Sequence, residues 1–222
     1  MNTIDQFYLL GAYWGDGHVY YIKGKHGSSY QFSIVSEDED FCQLCSNIVY
    51  NYIHKPGTVK LVNNYYKLIV CSKNLCDSIL NHTCSVTNYY SADRYQKKSR
   101  LPHFPSLEHK KSFIRGLMDS DGWISKRKNG KYTKYEVGFK NSSVLSSEIY
   151  KLMIEIGLSC GQLSFREGTV SVRNGKKYNK SKEQWFWTIT PLNYITTVGF
   201  SIKRKNLLCK EFLKDRKYTS QF

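Results

Sequence analysis

The chain has 222 residues, 41% of them hydrophobic, and 33 Lys and Arg against 18 Asp and Glu leave a formal charge of +15. That length suits one large domain or two small ones around a buried core and excludes disorder as a description of the whole. The charge repels other copies of the chain and attracts a polyanion: nucleic acid leads, with an anionic membrane surface and a merely basic enzyme as the alternatives.

In chain order the first element is a helix-like stretch from Leu9 to Gly17, LLGAYWGDG, closed by Asp16 and Gly17. A strand-like segment runs from Ser29 to Val35, and an amphipathic helix from Asp40 to Tyr52, where Phe41, Leu44, Cys45 and Ile48 share a face. Cys42 and Cys45 form a Cys-x-x-Cys pair, but zinc sites need a second close pair or suitably spaced histidines, so a buried helix is the expected setting of both thiols. A strand from Tyr65 to Val70 and a helix from Lys73 to Leu80 complete this half. Charge, two prolines and weak apolar periodicity then make the stretch between Ser91 and Pro105 a connector that can also touch nucleic acid. The expected halves are 1–98 and 99–222.

The second half opens with Ile114 to Gly122, IRGLMDSDG, and repeats the order: a strand from Tyr135 to Lys140, a helix from Leu145 to Ile156 stopped by Gly157, a strand from Trp185 to Ile189, and a helix beginning near Pro191. An extra basic loop from Arg166 to Lys182 delays the last strand. Asp16 and Asp121 are 105 residues apart, as are Phe32 and Val137, and Ile34 and Phe139, which argues for duplication of one structural unit. The class is therefore α+β, the order αββαββα written twice, each half an antiparallel sheet with helices on one side and a free polar face on the other.

No apolar run approaches the roughly 20 residues that cross a bilayer, and no membrane partner is expected. The first twenty residues lack a secretory pattern, so the setting expected is intracellular, cytoplasmic or organellar, with the seven cysteines reduced.

Gly11 with Gly15, and Gly116 with Ser120, lie one helical turn apart and offer low stripes along which two helices can approach. Gly17 and Gly122 are expected to stop those helices in the left-handed conformation, leaving Asp16 and Asp121 at helix C-termini where negative charge is disfavoured. Two such carboxylates brought together need a cation. Magnesium suits them, with manganese or calcium as substitutes, and the carbonyls of Gly17 and Gly122 are further donors. One Asp-Gly pair alone is an ordinary helix-ending turn; two at equivalent places weigh against that. Asp119, two positions before Asp121, faces another side of its helix.

These segments resemble the LAGLIDADG homing endonuclease family. Phe113 to Ile124 resembles its signature, Leu101 to Pro105 the lead-in of members with two motifs, and Leu9 to Gly17 keeps the glycine and terminal Asp-Gly positions but carries Trp14 where an acid often stands. The resemblance implies a monomer with a pseudo-twofold axis, a saddle-shaped pair of antiparallel sheets on duplex DNA, and signature helices packed at the centre. It also implies magnesium-dependent double-strand cleavage at a long target, leaving short 3′ overhangs, in intron or intein homing. Carried over, the catalytic acids are Asp16 and Asp121. A lysine from each half would stand near the metals: Lys205, with Lys203 as alternative, and Lys98, with Arg100 competing.

Alternation along the strands makes Lys134, Glu136 and Lys140 DNA-facing, with Tyr135, Val137 and Phe139 turned to the core. Tyr20, Lys23, Lys25, Gln31, Lys60 and Lys67 are candidates in the first half; Ser125, Lys126, Arg127, Lys128, Arg166, Arg173 and Lys182 join them in the second. Two rival readings share the charge: a maturase that binds intron RNA on the same scaffold, and a noncatalytic DNA-binding regulator. Neither requires both acids.

Overall fold

The computed structural model describes residues 3–24, 27–84, 100–130, 132–141, 145–173, 176–181 and 184–219. The chain divides into two compact units, Met1–Ser120 with Val198–Leu207, and Asp121–Thr197 with Leu208–Phe222.

In the first unit, α1 (Ile4–Asp16) starts with a capping box: the Gln6 amide donates to the Thr3 hydroxyl at 3.3 Å, and the Thr3 amide donates to the Gln6 side chain at 3.2 Å. Every residue from Gln6 to Trp14 is buried, so this helix is enclosed on all sides. Then come β1 (Gly17–Gly24), β2 (Gly27–Ser36), α2 (Glu39–Ile53), β3 (Thr58–Val62), β4 (Tyr65–Cys71) and α3 (Lys73–Thr83). The antiparallel sheet is ordered β1-β2-β4-β3. Asn63 and Asn64 take left-handed backbone at φ 50° and 68°, the two-residue turn that pairs Val62 with Tyr65. Val19, Phe32, Ile34, Leu68 and Val70 are buried on one sheet face; Phe41, Cys42, Cys45 and Val49 of α2 and Leu75, Ile79 and Leu80 of α3 complete the core. The Cys-x-x-Cys pair is thus core, as expected.

The unit is completed by α4 (Leu107–Ser120), packed on α1. A Cβ built on Gly11 would fall 1.9 Å from the Phe113 carbonyl oxygen, and one on Gly116 would fall 2.1 Å from that of Tyr8. The two backbones meet at these glycines. The expected second members of the stripes differ: Ser120 turns its hydroxyl back onto the carbonyls of Gly116 and Leu117, at 3.3 and 2.9 Å.

The second unit holds β5 (Gly122–Asn129), β6 (Tyr132–Asn141), α5 (Ser146–Glu155), β7 (Ser164–Arg166), β8 (Thr169–Arg173), β9 (Lys176–Ser181), β10 (Gln184–Ile189) and α6 (Pro191–Thr197). Its sheet is ordered β5-β6-β10-β7, the same topology as the first. Registers repeat too: Gly17 pairs with Ile34 and Val19 with Phe32, Gly122 with Phe139 and Ile124 with Val137, all at the 105-residue offset. Gly157, at φ 88°, ends α5 as expected. Trp187 fills the core against Phe139 and Tyr150. α7 (Lys203–Thr219) runs through both units. Among the described residues no helix is long and apolar enough to cross a membrane.

Three expectations need correction. The basic insertion is not a loop: β8 and β9 pair as a separate antiparallel hairpin. The C-terminal lysine block, to which the αββαββα order assigns no element, begins a 17-residue helix, α7, whose dense charge masks its weak apolar spacing. Finally, Gly17 and Gly122 do not stop their helices in left-handed backbone. Gly17 has φ −88° and ψ 149°, Gly122 is not among the positive-φ glycines, and each is the first residue of a strand. Glycine is needed at 17 for space, because a Cβ there would lie 2.4 Å from the Tyr13 Cα.

Candidate metal and nucleic-acid site

Asp16 is the last residue of α1 and Asp121 the first after α4; both are half-buried, and each is followed directly by a strand. The β1–β2 ladder begins at Gly17 and Ile34, directly after Asp16; the next residue of β2, Val35, pairs with Lys67 of β4, itself paired with Lys60. In the second unit the β5–β6 ladder begins at Gly122 and Phe139, directly after Asp121, and Lys140 follows Phe139 on β6.

The end of α4 is fixed by a buried polar cluster that the sequence did not reveal. The Tyr8 hydroxyl donates to the Asp119 carboxylate at 2.7 Å, and the Ser201 amide donates to both its oxygens at 3.2 and 3.0 Å. Burial raises Asp119 above the usual carboxylate range, opposed by these hydrogen bonds, and pushes the Tyr8 phenol well up. Asp119 is thus engaged by Tyr8 and the Ser201 amide. Lys205, 4% exposed, donates from Nζ to the carbonyl oxygens of Met118 at 2.8 Å and Asp119 at 2.7 Å. Burial draws its ammonium down to about 8, against the pull of Asp119. The backbone amide of its alternative, Lys203, donates to Asp40 at 2.7 Å; Arg100, the competitor of Lys98, donates from its guanidinium to the Asn81 carbonyl near the end of α3. Lys98 lies outside the described residues.

The proposed DNA contacts separate by strand face. In the first unit Tyr20 and Gln31 pair across β1 and β2, and Lys60 pairs with Lys67, on the face opposite Val19, Phe32 and Leu68. Lys23 lies on β1 opposite Ser28, and Lys25 falls outside the described residues. In the second unit Ser125, Arg127, Lys134, Glu136, Lys140 and Arg166 share the face opposite Ile124, Val137 and Phe139. Lys134 stands 3.7 Å from Glu136 there. Gly138, on this face, accommodates the Trp123 ring, which would lie 2.3 Å from a Cβ. Lys126 and Lys128 belong to the other face, where Lys126 is 3.0 Å from Glu211 of α7. Arg173 ends β8, and Lys182 lies outside the described residues.

Among the described residues no three or more His, Cys, Asp or Glu side chains gather as a metal cluster. The donors offered are carboxylates at two helix ends, hard oxygen ligands of the kind that hold magnesium together with water and phosphate oxygens.

No family model matches the chain. An uncharacterized protein of Methanocaldococcus jannaschii is 25% identical over 218 residues, 93% of this chain and 70% of that one. Among solved structures, the LAGLIDADG homing endonuclease I-GzeII in complex with its DNA target matches 100% of this chain and 93% of its own, with a TM-score of 0.60 at 11% identity. I-DmoI in complex with DNA and Ca matches 94% and 97%, with a TM-score of 0.58 at 15% identity. Its complex with DNA and Mn matches 89% and 98%, at 0.53 and 17%. The fold is that of the LAGLIDADG homing endonucleases. Within that fold, α1 and α4 carry the two LAGLIDADG-like segments and pack on each other as the resemblance implies.

Proposed function

We propose that the chain is a monomeric endonuclease that cuts double-stranded DNA at a long specific target, with Asp16 and Asp121 holding magnesium at the scissile phosphates. One observation carries this reading. The same Asp-Gly step, entering a strand of identical register, stands at the end of both glycine-crossed helices. Structural turns alone give no reason to keep an acid at both positions, each at a helix end that disfavours it.

Bound there, magnesium would neutralise phosphate charge and activate water for attack. The chain's own part is positional. The acids sit at helix ends, the carbonyls of Gly17 and Gly122 are nearby donors, and Lys67 and Lys140 on the free sheet faces would bring positive charge to the phosphate. Arg127, Lys134 and Arg166 on the free sheet face set affinity and register through phosphate contacts, and Gln31 offers a base-reading amide. The inserted hairpin, with Arg173 and Lys176, adds charge outside the sheets. Short 3′ overhangs and a role in intron or intein homing belong to the same reading.

The test is cleavage selection from a randomised duplex library with magnesium, followed by sequencing of the cut ends. Asp16→Asn and Asp121→Asn are expected to abolish cutting while retaining duplex binding in calcium. Unchanged cutting by both variants would sink the assignment. Binding of intron RNA without any cleaved duplex would favour the maturase reading instead.

A further inference from the structure

The resemblance makes Lys205 a basic group beside the reacting phosphate. Its surroundings give it other work. Helix termination leaves the last carbonyls of α4 without partners inside the helix. Ser120 takes that of Leu117, and Lys205 takes those of Met118 and Asp119, at 2.8 and 2.7 Å. The amine arrives from the first turn of α7, two residues past Lys203, and lies 5.4 Å from the centre of the Phe200 ring. A cation at this end of a helix opposes the negative pole of its dipole. The Asp119 side chain is held at the same time by Tyr8 of α1 and the Ser201 amide. Three segments thus converge on the last turn before Asp121, and two of the three ammonium protons of Lys205 are committed to backbone acceptors there.

We propose that Lys205 is a positioning residue: it closes the C-terminal turn of α4 and so fixes the backbone leading into Asp121, without touching the reacting groups. This rests on the nuclease reading for its consequence, though not for its geometry.

Lys205→Met keeps the stem and removes the donors; Lys205→Arg keeps charge and donors. The first readout is hydrogen–deuterium exchange of the metal-free protein. The Met variant is expected to speed exchange in the segment 117–124 while α1 and the rest of α4 stay protected; the Arg variant is expected to restore protection. Unchanged exchange in Lys205→Met would overturn the proposal. The second readout is single-turnover cleavage against magnesium concentration. A misplaced ligand raises the magnesium needed for half-maximal rate, by about 10–100-fold for loss of a supporting partner, and saturating magnesium restores the plateau. A lowered plateau with unchanged magnesium requirement would instead show direct chemistry at the phosphate. If the unmodified chain cuts no duplex, the nuclease reading fails while the exchange measurement still decides the role of Lys205. Should Lys205→Met not fold, Lys205→Arg carries both readouts: wild-type-like exchange and magnesium requirement support positioning, and a plateau defect alone overturns it.

Discussion

A methyl group at Gly11 would lie 1.9 Å from the carbonyl oxygen of Phe113 and 2.8 Å from the amide nitrogen of Leu117. Both are backbone atoms, so no side-chain rotation relieves the clash. Ordinary contact begins at 3.4 Å, and α1 and α4 must therefore separate by about 1.5 Å. A gap of 0.5–1 Å already forfeits roughly a quarter to a half of a dispersion contact, and overpacking of a tight core costs about 1–3 kcal/mol or more. Better helix propensity returns about 1 kcal/mol. Because the Trp14–Phe113 ring contact and the Tyr8–Asp119 hydrogen bond cross the same interface, Gly11→Ala is expected to lose about 2–4 kcal/mol. In a chain of this size that lowers Tm by roughly 5–15 °C, measured by far-ultraviolet circular dichroism. Gly157→Ala is the control, since Gly157 has φ 88° and nothing within 4 Å of a notional Cβ. It meets only the backbone penalty, about 1–2 kcal/mol. If Gly11→Ala lost no more than Gly157→Ala, the close crossing would be refuted.

Other outcomes follow from the same structure. Tyr8→Phe withdraws a donor from a buried carboxylate and is expected to destabilise by about 1–3 kcal/mol, read by urea unfolding. Because the folded-state pKa of Asp119 is raised by burial, its contribution is complete below the ordinary aspartate value and is lost as pH rises through the elevated one; Asp119→Asn should flatten that decline in a pH series of Tm. Asp38 has the opposite sign. Its bidentate pair with Arg204, at 2.9 and 2.8 Å, lowers its pKa, so its stabilisation is present above the ordinary value and is lost as pH falls through the lowered one. With the Arg204 side chain 58% exposed, the pair contributes under about 1 kcal/mol, and Asp38→Asn should show a small loss that salt erases. Trp187→Ala, in the core of the second sheet, is expected to cost about 3–5 kcal/mol.

The fold was legible wherever local pattern and duplication agreed. The 105-residue offset was read from Phe32 and Ile34 against Val137 and Phe139, and those residues hold equivalent ladder positions in the two sheets. Gly157 announced the end of α5, and the apolar spacing around Cys42 and Cys45 announced a core helix. What escaped was set by contacts between segments far apart in the chain. Tyr8, Asp119, Ser201 and Lys205 lie up to 197 positions apart, and no local pattern links a phenol, a carboxylate and an amine. Gly17 misled because the sequence shows that glycine is required, but not whether the cause is a dihedral angle or the proximity of Tyr13.

The paired helices carry unlike partners at like positions. Tyr8 and Phe113 are equivalent under the repeat, as are Trp14 and Asp119, yet one pair joins phenol to carboxylate and the other stacks ring edge on ring. Two copies of α4 set against each other would offer benzyl groups to buried acids, and two copies of α1 would press phenols against indoles. Severed at the connector, the half bearing α1 should bind the half bearing α4 in preference to a second copy of itself.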